Sequence, residues 1–345
     1  MTLPSIEALL PIPPEIVLPA LQHRAEEIGF GVQPQPGGLR VMLSGGDLLA
    51  MAEAGATRLR ITAQDGPHLQ GLRDYLTEEI AAAGVVPEWQ GRRARGRPDN
   101  HALARVVGVR RLSPSYIRVI LADPALARFA TGGLHFRLLF GPPGADWPGL
   151  DANGVTDWPQ GSAAWHKPVY TIRHLWDRDG VPHLSFDVFL HEGGRVTDWC
   201  LGLAPGTEIV LSGPGGGGLQ SQDGWHGLVG DETALPVIAR YLADMPAGTI
   251  GQAVLVVPDP ADIQHLDHPP GVSLHWATRD SGATPLTALG TLQIPDGARQ
   301  VFFAAEAEEA RTARRILTDR GLRKSEISAA AYWAKSWFSG ISPKI

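Results

Sequence analysis

The sequence predicts a three-part fold: a small α+β domain, then an antiparallel β-barrel, then an α/β domain. Three observations carry this. Helical spacing brackets a run of short, turn-punctuated segments within residues 1–88; six short strands follow within 105–225; strands alternate with helices within 226–345. The chain has 345 residues, with 43% hydrophobic and 19% charged, an ordinary globular composition with room for two or three domains.

The formal charge of −6 gives no ground for general nucleic-acid binding, and one Cys excludes an intrachain disulfide framework or a Cys-ligated zinc or iron–sulfur centre. A lone Cys fits a reducing compartment. No run reaches the roughly 18 apolar residues of a membrane helix. The opening MTLPSIEALLPIPPEI lacks a basic n-region and a cleavage-like site, so no secretory signal is expected. The expectation is a cytoplasmic monomer with no nucleic-acid partner and no membrane span.

In the first block, Pro14-Glu15 opens a periodic stretch that stops at Gly29. Short strands are expected at 38–43, 48–51 and 57–62, and Leu69, Leu72, Leu76 and Ile80 give helical spacing over 68–83. The block is α–β–β–β–α and holds no constellation assignable to chemistry. Residues 89–104 form a junction rich in Arg92, Arg93, Arg95 and Arg97. Strands are expected at 106–112, 116–121, 135–140, 169–175, 183–190 and 208–212, enough for a small barrel. The last block has strands at 227–229, 252–257, 273–277, 300–304 and 327–331, and helices at 233–243 and 307–320. That alternation implies a parallel sheet with binding crevices at its carboxyl edge.

Chemistry concentrates in five places. Lys167-Pro-Val-Tyr170-Thr171-Ile-Arg173 offers an aromatic wall, a hydroxyl and two cations on a short strand, the set a flavin requires. An exposed strand with one aromatic and flanking cations has the same composition. The run His191-Glu-Gly-Gly194-Arg-Val-Thr197-Asp-Trp199 follows a strand; its glycines permit close backbone approach, and Thr197 is expected to cap a helix whose free N–H groups suit a pyrophosphate. A tight, well-capped turn is the plainer alternative. The pair His191-Glu192 is not a zinc helix, because residue 195 is Arg. Gly213–Gly218 contains G-x-G-x-x-G, but LQSQDGWHG follows in place of a helix, so it reads as a domain junction. Gly230-Asp231-Glu-Thr233-Ala234-Leu-Pro236 is a strand-to-helix turn in which Asp231 or Thr233 is expected to cap. Finally, eight Lys/Arg from 311 to 345, among them Arg323, Lys324 and Lys335, stand against Asp319 and Glu326, either a basic rim or a solvated helix face.

The order of these motifs resembles the FAD-binding siderophore-interacting proteins, the NAD(P)H-dependent ferric-siderophore reductases, over about residues 105–335. Residues 167–173 are similar to R-x-Y-T-x-R, with Lys167 in place of Arg. Residues 191–200 are similar to H-G-x-G-x-x-S-x-W-A, with Glu192, Thr197 and Cys200 departing from it. Residues 230–236 nearly match G-D-E-T-A-L-P, and Ala331-Tyr332-Trp333-Ala334-Lys335 resembles G-Y-W-R/K. The resemblance implies a small N-terminal α+β domain, an antiparallel β-barrel FAD domain and an α/β NAD(P)H domain of ferredoxin-reductase type. It also implies Tyr170 against the isoalloxazine, Thr171 near N5, and cofactor contacts from Lys167, Arg173, His191, Gly194, Thr197, Trp199, Asp231, Thr233, Ala234, Tyr332 and Trp333. Arg323, Lys324 and Lys335 would meet a ferric siderophore, and NADPH or NADH would be the co-substrate. No side chain is needed as catalytic acid or base. The first 88 residues resemble a small domain of unknown role found beside such reductases. The 89–104 stretch is then either a solvated linker or a basic strand of the cofactor or chelate pocket. Competing functions are an electron-transfer flavoprotein serving a protein or quinone, with the basic C-terminal surface as docking face, and a siderophore-binding module without turnover.

Overall fold

The computed structural model describes residues 2–82, 84–90, 96–216 and 224–335. The chain forms two compact units: Met1–Leu103 with Arg137–Pro168 and Ile209–Gly213, and Ala104–Phe136 with Val169–Glu208 and Pro214–Ile345.

The first unit begins with β1 (Ser5–Leu10), α1 (Pro14–Ile28), β2 (Gly31–Gln35), β3 (Gly38–Leu43), β4 (Gly46–Glu53), β5 (Ala56–Ala63), α2 (Gly66–Ala81) and β6 (Trp89–Gln90). These strands make an antiparallel sheet of order β2-β3-β4-β5-β1-β6. Both helices pack on it around a core that includes Ala8, Leu48, Leu59, Ile61 and Leu76. α1 stops because Gly29 adopts φ 92°, turning its N–H back to the carbonyls of Ala25 and Glu26. α2 starts because the Asp65 carboxylate accepts from His68 N at 2.9 Å.

The sheet is larger than the expected three-stranded meander. β1 is an inner strand that buries Ile6, Ala8 and Leu10 by strict alternation. β2 is an edge strand, which tolerates Pro34. Trp89 and Gln90, placed in the linker by sequence, form the opposite edge strand, with Trp89 buried. Arg92, Arg93 and Arg95 lie outside the described residues.

The barrel strands are β7 (His101–Ser113), β8 (Tyr116–Ala122), β9 (His135–Leu139), β12 (Val169–Thr171), β13 (His174–Arg178), β14 (Val181–Phe189) and β15 (Glu208–Gly215), with a two-stranded ribbon β10 (Gly149–Leu150) and β11 (Thr156–Asp157) and one helix, α3 (Arg195–Leu201). In the second unit, β7, β8, β14 and β13 follow one another antiparallel. The segment 169–175, expected as a single strand, breaks after Thr171. Ile172 N donates to Leu134 O at 2.8 Å, whereas Arg173 N donates to Ser185 O at 2.8 Å. β12 and β13 are the two ends of the seven-stranded order, so this step from one edge to the other closes the sheet into a barrel. In the first unit the β10–β11 ribbon is fastened to α2: Asp74 accepts from Thr156 N and Oγ1 at 2.9 and 2.6 Å, and Arg73 donates to Gly154 O at 2.7 Å.

The last domain comprises β16 (Trp225–Gly230), α4 (Leu235–Asp244), β17 (Ile250–Val257), β18 (Gly271–Thr278), α5 (Pro285–Gly290), β19 (Arg299–Glu306), α6 (Ala307–Asp319) and β20 (Ile327–Trp333). Its five strands are parallel, in the order β18-β17-β16-β19-β20. Leu228, Leu255 and Phe302 face α4, while Val229, Val256 and Phe303 face α5 and α6. Burial on both faces explains the continuous apolar runs that marked these strands. β17 and β19 leave β16 on opposite sides, so the order reverses there and opens a crevice beyond its carboxyl end. The short helix α5 was not expected; Thr284 and Thr287 cap it reciprocally.

Candidate flavin and nucleotide site

At the reversal, β16 ends in the turn carrying Asp231, Thr233 and Ala234. Asp231 is fully buried, and its Oδ1 accepts from Thr233 N, Thr233 Oγ1 and Ala234 N at 2.9, 2.6 and 3.2 Å. These bonds fasten the turn ahead of α4; the helix itself starts at Ala234 with no side-chain cap, so neither Asp231 nor Thr233 is its N-cap residue. Pro236 sits in the first helical turn, where its missing N–H costs nothing. The other Asp231 oxygen accepts from Trp333 Nε1 at 2.7 Å.

Trp333 arrives by way of a bulge. Ala331 opposes Ala305 and Trp333 opposes Glu306, so Tyr332 is the extra residue. Its hydroxyl lies 3.3 Å from His135 Nε2. Burial lowers the His135 pKa below the ordinary value. Glu306 caps α6 through Glu308 N at 2.7 Å and also accepts from Lys335 N at 3.2 Å. Neighbouring Glu232 is held by both Arg279 Nε and Nη2, at 3.0 and 2.8 Å. Burial pushes the Glu232 carboxyl pKa up, with the Arg279 bonds opposing it.

The pyrophosphate-type turn comes from the end of β14. Gly194 is the residue that precedes α3, and a Cβ there would stand 2.7 Å from His191 Cε1 and 2.9 Å from Thr197 Oγ1. A side chain there would displace the exposed His191 ring and crowd the Thr197 hydroxyl. Thr197, expected as the cap, lies inside α3 and accepts from His191 N at 3.1 Å. The helix therefore begins without a side-chain cap. Trp199 follows in the same helix, and Glu192 is exposed.

These segments join through aromatic contacts. His191 stacks on Phe189 at 6.4 Å, Phe189 meets Tyr116 at 5.6 Å, and the Tyr116 hydroxyl donates to Glu232 O at 2.8 Å. The Tyr170 ring is backed by Phe186 and Phe136 at 5.2 and 6.5 Å, with Thr171 buried beside it. Burial raises the Tyr170 phenol pKa, and the field of Cys200 in α3 adds to this. Burial also pushes the Cys200 thiol up to about 12, so it is no nucleophile.

Four expected contacts have other partners or positions. Lys167 belongs to the first unit, where Nζ bonds Ser162 Oγ at 2.5 Å and lies 4.5 Å from the Trp158 ring. Arg173 turns to Asp187, 3.4 Å away. Arg323 and Lys324 precede β20 while Lys335 follows it, so a strand of seven residues, about 3.3 Å each, separates them. Arg323 is also ion-paired with Glu326 at 2.9 Å, Arg311 with Glu308, and Arg314 donates to Ala329 O. Arg311, Arg314 and Arg323 are thus engaged locally; Lys344 and Gly217–Gly218 lie outside the described residues. Sequence reasoning missed His135, Phe136, Phe186 and Arg279, which belong to no motif and meet the site only through the fold.

The residues fit a flavin dinucleotide: a backed aromatic face and, after it in sequence order, a glycine turn whose space a Cβ would fill. A barrel with such a turn, followed by a parallel sheet with a crevice at its reversal, defines a flavoprotein oxidoreductase of ferredoxin-reductase type. Residues 105–218 match the siderophore-interacting FAD-binding domain and residues 223–336 match the siderophore-interacting protein domain. The chain belongs to the siderophore-interacting protein family. Ferric vibriobactin reductase ViuB of Vibrio cholerae is 33% identical over 240 residues, 65% of this chain and 86% of that one. NADPH-dependent ferric-chelate reductase of Escherichia coli is 27% identical over 240 residues, 66% of this chain and 91% of that one. A siderophore utilization protein from T. fusca superposes with TM-score 0.57 and 27% identity over 70% of this chain and 95% of its own. SipS from Aeromonas hydrophila gives 0.55 and 26%, over 68% and 99%. No helix among the described residues is long and apolar enough to cross a membrane.

Proposed function

We propose that this protein is an FAD-dependent ferric-siderophore reductase that draws on NADPH or NADH. The observation that carries the reading is the continuous path from the glycine turn at His191–Thr197, through Phe189 and Tyr116, to the Asp231–Trp333 crevice. It links the His191–Thr197 turn to the Asp231 turn and Trp333, which supports a shared cofactor site. When bound, FAD supplies hydride acceptance and single-electron delivery. Tyr170 walls the ring, Thr171 offers a hydroxyl at its edge, and the turn at Gly194 holds the pyrophosphate. Asp231 fixes Trp333, so the crevice that receives the nicotinamide keeps its shape. Lys335, at the carboxyl edge of the sheet, meets the anionic chelate; Arg323 and Lys324 do not. Hard oxygen chelators hold Fe²⁺ far more weakly than Fe³⁺, so reduction releases the metal. The lone, buried Cys200 supports a reducing cytoplasmic setting, with the chain acting as a monomer. The test is anaerobic mixing of the purified protein with NADPH or NADH, then with a ferric chelate. Bleaching of the flavin band followed by recovery on chelate addition is expected; a band that never bleaches sinks the reading.

A further inference from the structure

A cavity of about 330 Å³ opens in the second unit, away from the crevice just described. Its walls are the barrel strands β7, β8 and β13, the C-terminal half of α4, and residues 263–267. Ala239 and Ala243 line it, whereas Ala234 starts the helix at the Asp231 turn; nine residues at 1.5 Å each separate the two ends by about 13 Å. The 263–267 wall is anchored nearby, since Asp262 Oδ1 accepts from Ser113 Oγ at 2.6 Å and Ser115 N at 2.9 Å.

The charge balance of this cavity is unusual. Arg110, Arg118 and Arg173 all line it, with Asp267 the one carboxylate among the lining residues. Fully buried Asp187 takes both bonds from Arg118, at 2.6 and 2.8 Å. The Arg173 guanidinium, 7% exposed, is ion-paired with Asp187 at 3.4 Å, but its Nε makes no hydrogen bond. Gln264 Nε2 is likewise buried without a partner. Two buried N–H donors without a hydrogen bond, Arg173 Nε and Gln264 Nε2, thus border one cavity whose lining guanidiniums outnumber its lining carboxylates. Buried donors are otherwise almost always satisfied, and guanidiniums pair with the oxygens of phosphate in a matched fork. His174 on the same wall has its pKa lowered by burial and by Arg173 and Arg118, consistent with a positive field there.

We propose that this cavity is an oxyanion site, separate from the flavin and nicotinamide crevice, that binds a phosphate group through Arg173, Arg110 and Gln264. The phosphate is either the free ion or the phosphoryl group of a small metabolite. A site of this kind would couple the anion to the packing of α4 against the barrel, because Arg240 of that helix donates to Ile172 O at 3.2 Å, beside Arg173.

The test is calorimetric titration of the full chain, with and without saturating FAD, using inorganic phosphate and glycerol 3-phosphate at constant ionic strength. Arg110→Ala and Gln264→Leu are the variants, since Arg110 is exposed and neither touches the flavin assembly. Saturable one-to-one binding that persists with FAD and weakens at least tenfold in both variants supports the site. Preference for the free ion or for the ester then identifies the source. No saturable binding, binding abolished by FAD, or equal affinity in the folded variants overturns the proposal. Flavin reduction by NADPH should be unchanged in both variants, which separates failure here from failure of the reductase reading.

Discussion

Trp333 donates its indole N–H to Asp231 at 2.7 Å, joining the last strand of the sheet to the turn after the first. The two residues are far apart in sequence, yet the bond ties them together beyond the carboxyl end of β16.

Removing it should be costly in a specific way. Trp333→Phe keeps an aromatic ring but leaves a carboxylate oxygen of fully buried Asp231 without its donor. A loss of about 1–3 kcal/mol is expected. Thermal unfolding should show it, together with weaker FAD retention on gel filtration.

Gly194→Ala tests the pyrophosphate turn. The added Cβ meets His191 at 2.7 Å and the Thr197 hydroxyl at 2.9 Å, so those side chains must shift from their places in the turn. FAD affinity is expected to fall about tenfold or more, about 1.4 kcal/mol. Fluorescence titration of the flavin measures it, and an unchanged circular dichroism spectrum shows that the fold survives.

Among the described residues, Asp187 is the only carboxylate bonded to Arg118, and it faces Arg173 as well. Asp187→Asn leaves two guanidiniums side by side without their counter-charge. A destabilisation of about 3–5 kcal/mol is expected, read by urea denaturation. Added phosphate should recover part of it by supplying the missing counter-charge.

His135 gives a pH signature. Burial lowers its folded pKa below the ordinary 6.5, so the unfolded chain takes up a proton more readily than the folded one. The stability from keeping it neutral is present above the unfolded value and is lost as pH falls through the folded one. The melting temperature should drop on going from about pH 7.5 to about pH 5. His135→Gln should flatten that slope without abolishing it, because the His174 pKa is lowered too.

The fold was legible wherever one face of an element was buried in period. α1 with its Gly29 stop, the 38–43 strand and the strands of the parallel sheet lie where spacing places them. β1 was not, because six residues of alternation at the chain start, ahead of two prolines, give a weak signal. The break at 172–173 was invisible for another reason: hydrogen-bond partners change there while the side-chain pattern runs on. In the candidate site, motifs located the turns but not the direction of the side chains. Arg173 carries the charge expected of a cofactor contact and spends it on Asp187, a residue in no motif. Arg323 and Lys324 share Lys335's charge but lie across the sheet from it, a separation that only strand direction reveals.

The seam at Ile172–Arg173 has a consequence for how this barrel can change. Two residues bridge from Leu134 on one side to Ser185 on the other, with Tyr170 and Thr171 just before the bridge and Arg173 on its far footing. A span of fixed width has no slack, so one inserted or deleted residue there would shift the flavin wall and the arginine cavity together. Surface loops elsewhere are free to lengthen; this stretch is bound to its present length, and any variation in it must come by substitution.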